Sequence, residues 1–368
     1  MSTVNTNKTK SKRIFYFDAL RALAIISVVV FHVFLATNPL VVGNYPNLTH
    51  RWLISDIMGT SIRFGVDLFL MLSGALSLGR VWDIKSFLSK RLPRIILPFL
   101  FWGFVLGMIY VCLAFTVPGF HYRISSLTLM PILDFLKGIY LAKSHSFGPY
   151  WFFWMILGTY LAMPILNKWL CHSDLKEAEY FLAIWLFVCI VEKTLLIESP
   201  ISLSFFSGPL GMVVLGYYLR YTERKIFNSP CIALAGLILS VVVMVAWSYC
   251  LSTPSKTFFF DRYSLFVVVE VASIFILFKN FDRINIKSKI LNKLELILRK
   301  ALFSIAKYSY GIYLIHEFII IILLKEFLPE MGFGLSVIVY FVGSLGISWA
   351  VMAILNRVPY LNRVIGAK

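Results

Sequence analysis

The residues of this chain best suited to chemistry sit where charge is expensive. Asp18, Arg21 and His32 fall in one apolar stretch. At about 100° per helical residue, Arg21 and His32 differ by about 20° and Asp18 lies about 60° from Arg21, so all three share one face. The rest of that helix is largely apolar, which sets the polar stripe apart. Arg21 alone reads as a charge that sets topology, and His32 alone as a hydrogen-bonded packing residue. The aligned set reads as the wall of an internal tunnel. A histidine there is a candidate general base, able to deprotonate a hydroxyl that attacks an activated acyl group. Asp18 is placed at i,i+3 to orient Arg21.

Further candidates follow along the chain. Arg63 and Asp67 form an i,i+4 pair expected to neutralise itself, with a structural or a catalytic role, ahead of Ser73-Gly74, which reads as a small-residue helix contact. Arg91 and Arg94 stand three apart in a basic loop, and their guanidinium forks suit phosphate oxygens. Tyr310, Tyr313 and Glu317 share a helical face with His316 beside them. That face reads either as aromatic packing or as a second tunnel wall. His316-Glu317 is not a zinc motif, because Ile320 stands where H-E-x-x-H requires the second histidine, and no metal is expected. Glu192, Lys193 and Glu270 are buried-charge candidates with no assigned role. His50, His121, His145 and His172 read as surface residues.

The elements that position these groups follow from composition. Of 368 residues, 59% are hydrophobic and 14% charged, with a mean hydropathy of +0.82. Soluble domains carry about 25% charged residues, so an ordinary cytosolic enzyme is excluded. Five cysteines without metal spacing exclude a disulfide scaffold and a zinc module. The expected fold is all-α: a polytopic transmembrane bundle with spans near 15–37, 60–79, 95–117, 150–170, 179–197, 208–220, 231–252, 262–279, 303–324 and 335–355. Segment 129–141 is too short to span and reads as interfacial. With the N-terminus inside, 24 of the 35 Lys and Arg fall in inside segments and seven outside. The net charge of +17 therefore reads as topology rather than nucleic-acid binding, with both termini cytoplasmic. Residues 1–13 read as a disordered cytoplasmic tail, 14–357 as the membrane domain and 358–368 as a short tail.

Taken in order, these stretches resemble the acyltransferase 3 family of bacterial membrane acyltransferases. The resemblance rests on Phe17-Asp18-Ala19-Leu20-Arg21-Ala22 with His32, on Val66 to Gly74, on Arg91-x-x-Arg94 before Pro98, on Tyr150-Trp151-Phe152-Phe153 with Pro164, and on Ser309-Tyr310-Gly311-Ile312-Tyr313-Leu314-Ile315-His316. It departs at Ala22, where many members have Gly; many members also carry a fused esterase-like domain, which is not expected here. The resemblance implies transfer of an acetyl group from acetyl-CoA to a sugar hydroxyl of a cell-surface glycan or its lipid-linked precursor, at the bacterial inner membrane. It implies a donor held by Arg91, Arg94, Arg21 and Ser73. Chemistry would fall to His32 with Arg21 and Asp18, and to Tyr310, Tyr313 and His316. The expected partners are acetyl-CoA, the glycan acceptor and membrane lipids. Two other classes suit a polar stripe in a bundle: a transporter or flippase for glycans or small anions, and a non-catalytic partner in polysaccharide assembly.

Overall fold

The computed structural model describes residues 14–37, 50–120, 123–143, 150–198, 206, 208–251, 260–281, 289–329 and 331–367. The expected tail 1–13, His121, His145 and the basic stretch 283–287 lie outside them. The described residues form helices joined by short turns, with no strand among them. They are α1 (Phe15–Thr37), α2 (His50–Ser61), α3 (Gly65–Ser77), α4 (Ile84–Thr116), α5 (Leu129–Tyr140), α6 (Trp151–His172), α7 (Leu175–Val188), α8 (Pro209–Tyr221), α9 (Pro230–Leu251), α10 (Leu265–Phe281), α11 (Lys289–Phe318), α12 (Lys325–Phe327) and α13 (Phe333–Leu355). Single π-helical turns extend α7 over Cys189–Thr194 and α11 over Ile319–Leu324. All five cysteines are free.

Among the described residues the ten expected apolar stretches are mainly helical, the second of them interrupted by a turn. Among the described residues five helical stretches are long and apolar enough to cross a membrane: Phe15–Thr37, Ile57–Ser77, Ile84–Thr116, Pro230–Leu251 and Phe333–Leu355. This is a helical membrane protein. The 13 residues of α8 rise about 20 Å, short of a hydrocarbon core of about 30 Å.

The second expected span is broken. Residues 62–64 form a turn between α2 and α3. Gly65 restarts the helix against α1, where a Cβ would strike Ser27 Oγ and Ala24 O. The break changes the Arg63–Asp67 pair. Arg63 donates to Phe260 O at 2.9 Å, while both Asp67 carboxylate oxygens are buried without a hydrogen-bond partner. Arg63 and Asp67 stay within electrostatic reach of each other, with Arg262 as a second cation near the carboxylate.

The centre is built on close backbone approach. A Cβ at Gly74 would collide with the Val213 backbone of α8, and one at Gly216 with the Met71 backbone of α3. Small residues are what let two apolar helices meet in this way, so Gly74 is a packing glycine. Around this centre α9 and α13 are peripheral. Each buries a narrow stripe, Ala233, Ser240, Met244 and Ser248 in one, Tyr340, Ser344, Ser348 and Met352 in the other. Their remaining faces expose Ile238, Leu239 and Val242, and Ile338, Val342 and Ile354.

Candidate active site

Helix α1 carries its polar stripe into the bundle and packs along α11. Asp18 is buried, and Arg21 Nη1 donates to its Oδ1 at 3.2 Å. Eleven residues on, about 16 Å along the axis, His32 meets His316 of α11. His32 Nδ1 lies 2.8 Å from Val28 O and 3.3 Å from His316 Nε2. His316 is fully buried, and its Nδ1 lies 2.8 Å from Tyr313 O and 3.2 Å from Ile312 O.

Carbonyls only accept, so these contacts assign the tautomers. His316 carries its proton on Nδ1 and offers the Nε2 lone pair. His32 carries its proton on Nδ1, shared between Val28 O and His316 Nε2. The lone pair of His32 is then on Nε2. That nitrogen lies 3.8 Å from Glu317 Oε2, with both side chains about one-fifth exposed. The arrangement is that of an oriented base: one ring nitrogen tied down, the other open beside a carboxylate that stabilises the imidazolium. Ser344 of α13 fixes the height of this layer by donating to His316 O at 3.1 Å.

A cavity of about 690 Å³ approaches the histidine pair from the Arg21 end of α1. Six cations line it, Arg21, Lys90, Arg91, Arg94, Lys307 and Arg363, and no acidic side chain does. Asp83 caps α4 by accepting from Ser86 N at 3.0 Å. The first turns of that helix then present Arg91 and Arg94, and Arg91 Nη2 is held by Ser77 Oγ at 3.2 Å. Pro93 and Pro98 lie inside α4 and remove two amide donors, which frees carbonyls along this wall. At the inner end the lining is Phe69, Phe152 and Tyr313. The Phe152 and Tyr313 rings lie 4.9 Å apart, and the Tyr313 and His316 rings 5.8 Å. Tyr313 thus faces the cavity and also contacts the histidine layer.

A family model described as an acyltransferase domain matches residues 14–353. The chain belongs to the acyltransferase 3 family. No curated protein and no solved structure gave a match.

In this membrane acyltransferase the residues singled out from sequence fall into two groups. Arg21, Ser73, Arg91, Arg94, Tyr310 and Tyr313 line the cavity, while His32 and His316 lie together beyond it. Two hydroxyls are already engaged: Ser73 Oγ donates to Phe69 O at 2.9 Å, and the Tyr310 hydroxyl donates to Ile95 O at 2.8 Å, tying α11 to α4. Lys307 and Arg363 were not singled out from sequence, and Glu317 was named only as part of a stripe. The signal for Glu317 was its direct succession to His316. Among the described residues no cluster of His, Cys, Asp and Glu fits a metal ion.

Proposed function

We propose that this acyltransferase moves an acetyl group from cytoplasmic acetyl-CoA to a sugar hydroxyl of a cell-surface glycan or its lipid-linked precursor. The observation that carries the reading is the six-cation, acid-free cavity leading to the His32–His316–Glu317 layer. A ligand that suits such a lining carries several negative charges, as the phosphates of coenzyme A do. With the nucleotide at Arg91 and Arg94, the pantetheine arm runs up the bundle past Arg21 and brings the thioester toward Tyr313.

The acceptor arrives from the opposite side. His32 Nε2 takes the hydroxyl proton as the oxygen attacks the thioester carbonyl. Glu317 stabilises the imidazolium that forms. The Tyr313 hydroxyl, on the cavity wall beside the histidine layer, serves as a donor to the oxyanion. Collapse breaks the C–S bond, and the departing thiolate receives the proton. Attack by the acceptor itself requires no acyl-enzyme, which agrees with the inward-turned hydroxyl of Ser73. The reading places ten spans in the bacterial inner membrane with both termini cytoplasmic, so that the cation-lined mouth faces the donor pool.

The test is incorporation of label from [acetyl-14C]acetyl-CoA into glycan acceptor by purified protein in vesicles. Transfer by the wild type and its loss in His32→Ala is the expected result. A protein that moves glycan across the vesicle membrane without acetylating it belongs to the transporter class instead.

A further inference from the structure

The chain beyond α13 is built into the cavity wall. After Leu355 it turns at Asn356, passes Tyr360 and makes a tight turn over Leu361–Arg363. Ile365 is fully buried, and its carbonyl accepts from Trp102 Nε1 of α4 at 3.2 Å. Gly366 has φ +84°, and a Cβ there would stand 2.9 Å from Gly311 N of α11. Gly311 is equally closed in: a Cβ on it would strike Met352 Sδ and Ile365 O. The segment is therefore wedged between α4 and α11 by backbone contacts that two glycines permit.

The wedge sets the position of what precedes it. Asn356, Asn362, Arg363, Gly366 and Ala367 line the same cavity as Arg91 and Arg94. Arg363 is exposed, and its guanidinium makes no hydrogen bond or ion pair among the described residues. Lys307 on α11 completes this side. The mouth thus carries cations on separate elements, Arg91 and Arg94 on α4 and Arg363 on the returning segment, with no acid among its lining residues.

We propose that Asn362 and Arg363 form a second phosphate subsite, so that the cavity selects donors bearing phosphates at two separate positions. The proposal rests on the donor reading above and deepens it. Arg91 and Arg94 hold one phosphate group, and Arg363 with Asn362 holds the other. The glycine wedge, rather than a charge pair, sets the position of Arg363.

The test is equilibrium binding of acetyl-CoA and of adenosine 3′,5′-bisphosphate to the purified full chain, comparing wild type, Arg363→Gln, Arg363→Lys and Lys85→Gln. Lys85 is an exposed basic residue outside the cavity and controls for net charge. Arg363→Gln should weaken binding about tenfold or more, from loss of charge-assisted hydrogen bonds. Arg363→Lys should recover part of that loss, and Lys85→Gln should leave affinity unchanged. Monodispersity on gel filtration confirms that each variant is folded. Equal acetyl-CoA affinity in wild type and Arg363→Gln overturns the subsite and leaves the donor reading standing. An Arg363-dependent affinity for the bisphosphate without any for acetyl-CoA supports the subsite and defeats the donor reading. Binding of neither probe by the wild type defeats both.

Discussion

The cavity mouth and the histidine layer share α1 and α11 yet solve opposite problems. The cavity behind the mouth gathers six cations with no acidic side chain lining it, and Lys90, Arg94 and Arg363 at the mouth are exposed. Charge of one sign is tolerable there because water reaches it, and a ligand of opposite sign can displace that water. The histidine layer has almost no free valence. Each ring is tied by backbone carbonyls, and the one unengaged nitrogen faces Glu317. The mouth is arranged to hold charge, and the layer to move a proton. Affinity and rate should therefore separate under mutation.

The largest effect is expected at the layer. His32→Ala should lower acetyl transfer about 10²–10⁴-fold, the usual contribution of a general base, while acetyl-CoA affinity by calorimetry stays near wild type. A matching fall in affinity would erase the division between the two regions. Next comes Arg94→Ala at the mouth, with acetyl-CoA binding weakened about tenfold or more. Turnover at saturating donor should stay within a few-fold of wild type; a large loss there would make Arg94 part of the chemistry. Glu317→Gln keeps shape and removes the charge that faces His32. Transfer should fall about tenfold through loss of a charge-assisted contact, and unchanged turnover would show that the imidazolium needs no partner. The smallest effect should come from Tyr310→Phe. It removes the bond to Ile95 O, so thermal stability should drop by about 0.5–1.5 kcal/mol with transfer retained. Loss of transfer in a protein of unchanged melting temperature would return Tyr310 to the catalytic group.

What could be read from sequence follows the range of the forces involved. The Asp18–Arg21–His32 stripe was legible because helical spacing is local. The Arg91–Arg94 pair was legible because both residues lie on one turn. The meeting of His32 with His316 was not, since it depends on the register of α1 against α11. The break at 62–64 was equally hidden: it answers to the approach of Gly65 to α1, and no residue within the turn announces it. The place of Arg363 was hidden because the wedge at Gly366 depends on Gly311, a contact between distant parts of the chain. The buried carboxylates of Asp67 and Glu270 were noticed as charges, and the structure leaves their oxygens without hydrogen-bond partners among the described residues.

The stripes on α9 and α13 bear on how this molecule can change over generations. Lipid does not distinguish Ile from Leu or Val, so the outer positions of both helices are free to drift among aliphatic residues. What fixes the rotation of each helix is what is small or polar: Ser240 and Ser248 on one, Ser344 and Ser348 on the other. Because Ser344 also holds His316 O, a substitution that enlarges this one side chain on a peripheral helix reaches the reaction centre, whereas exchanges of Ile338 or Val342 on the same helix end in the bilayer.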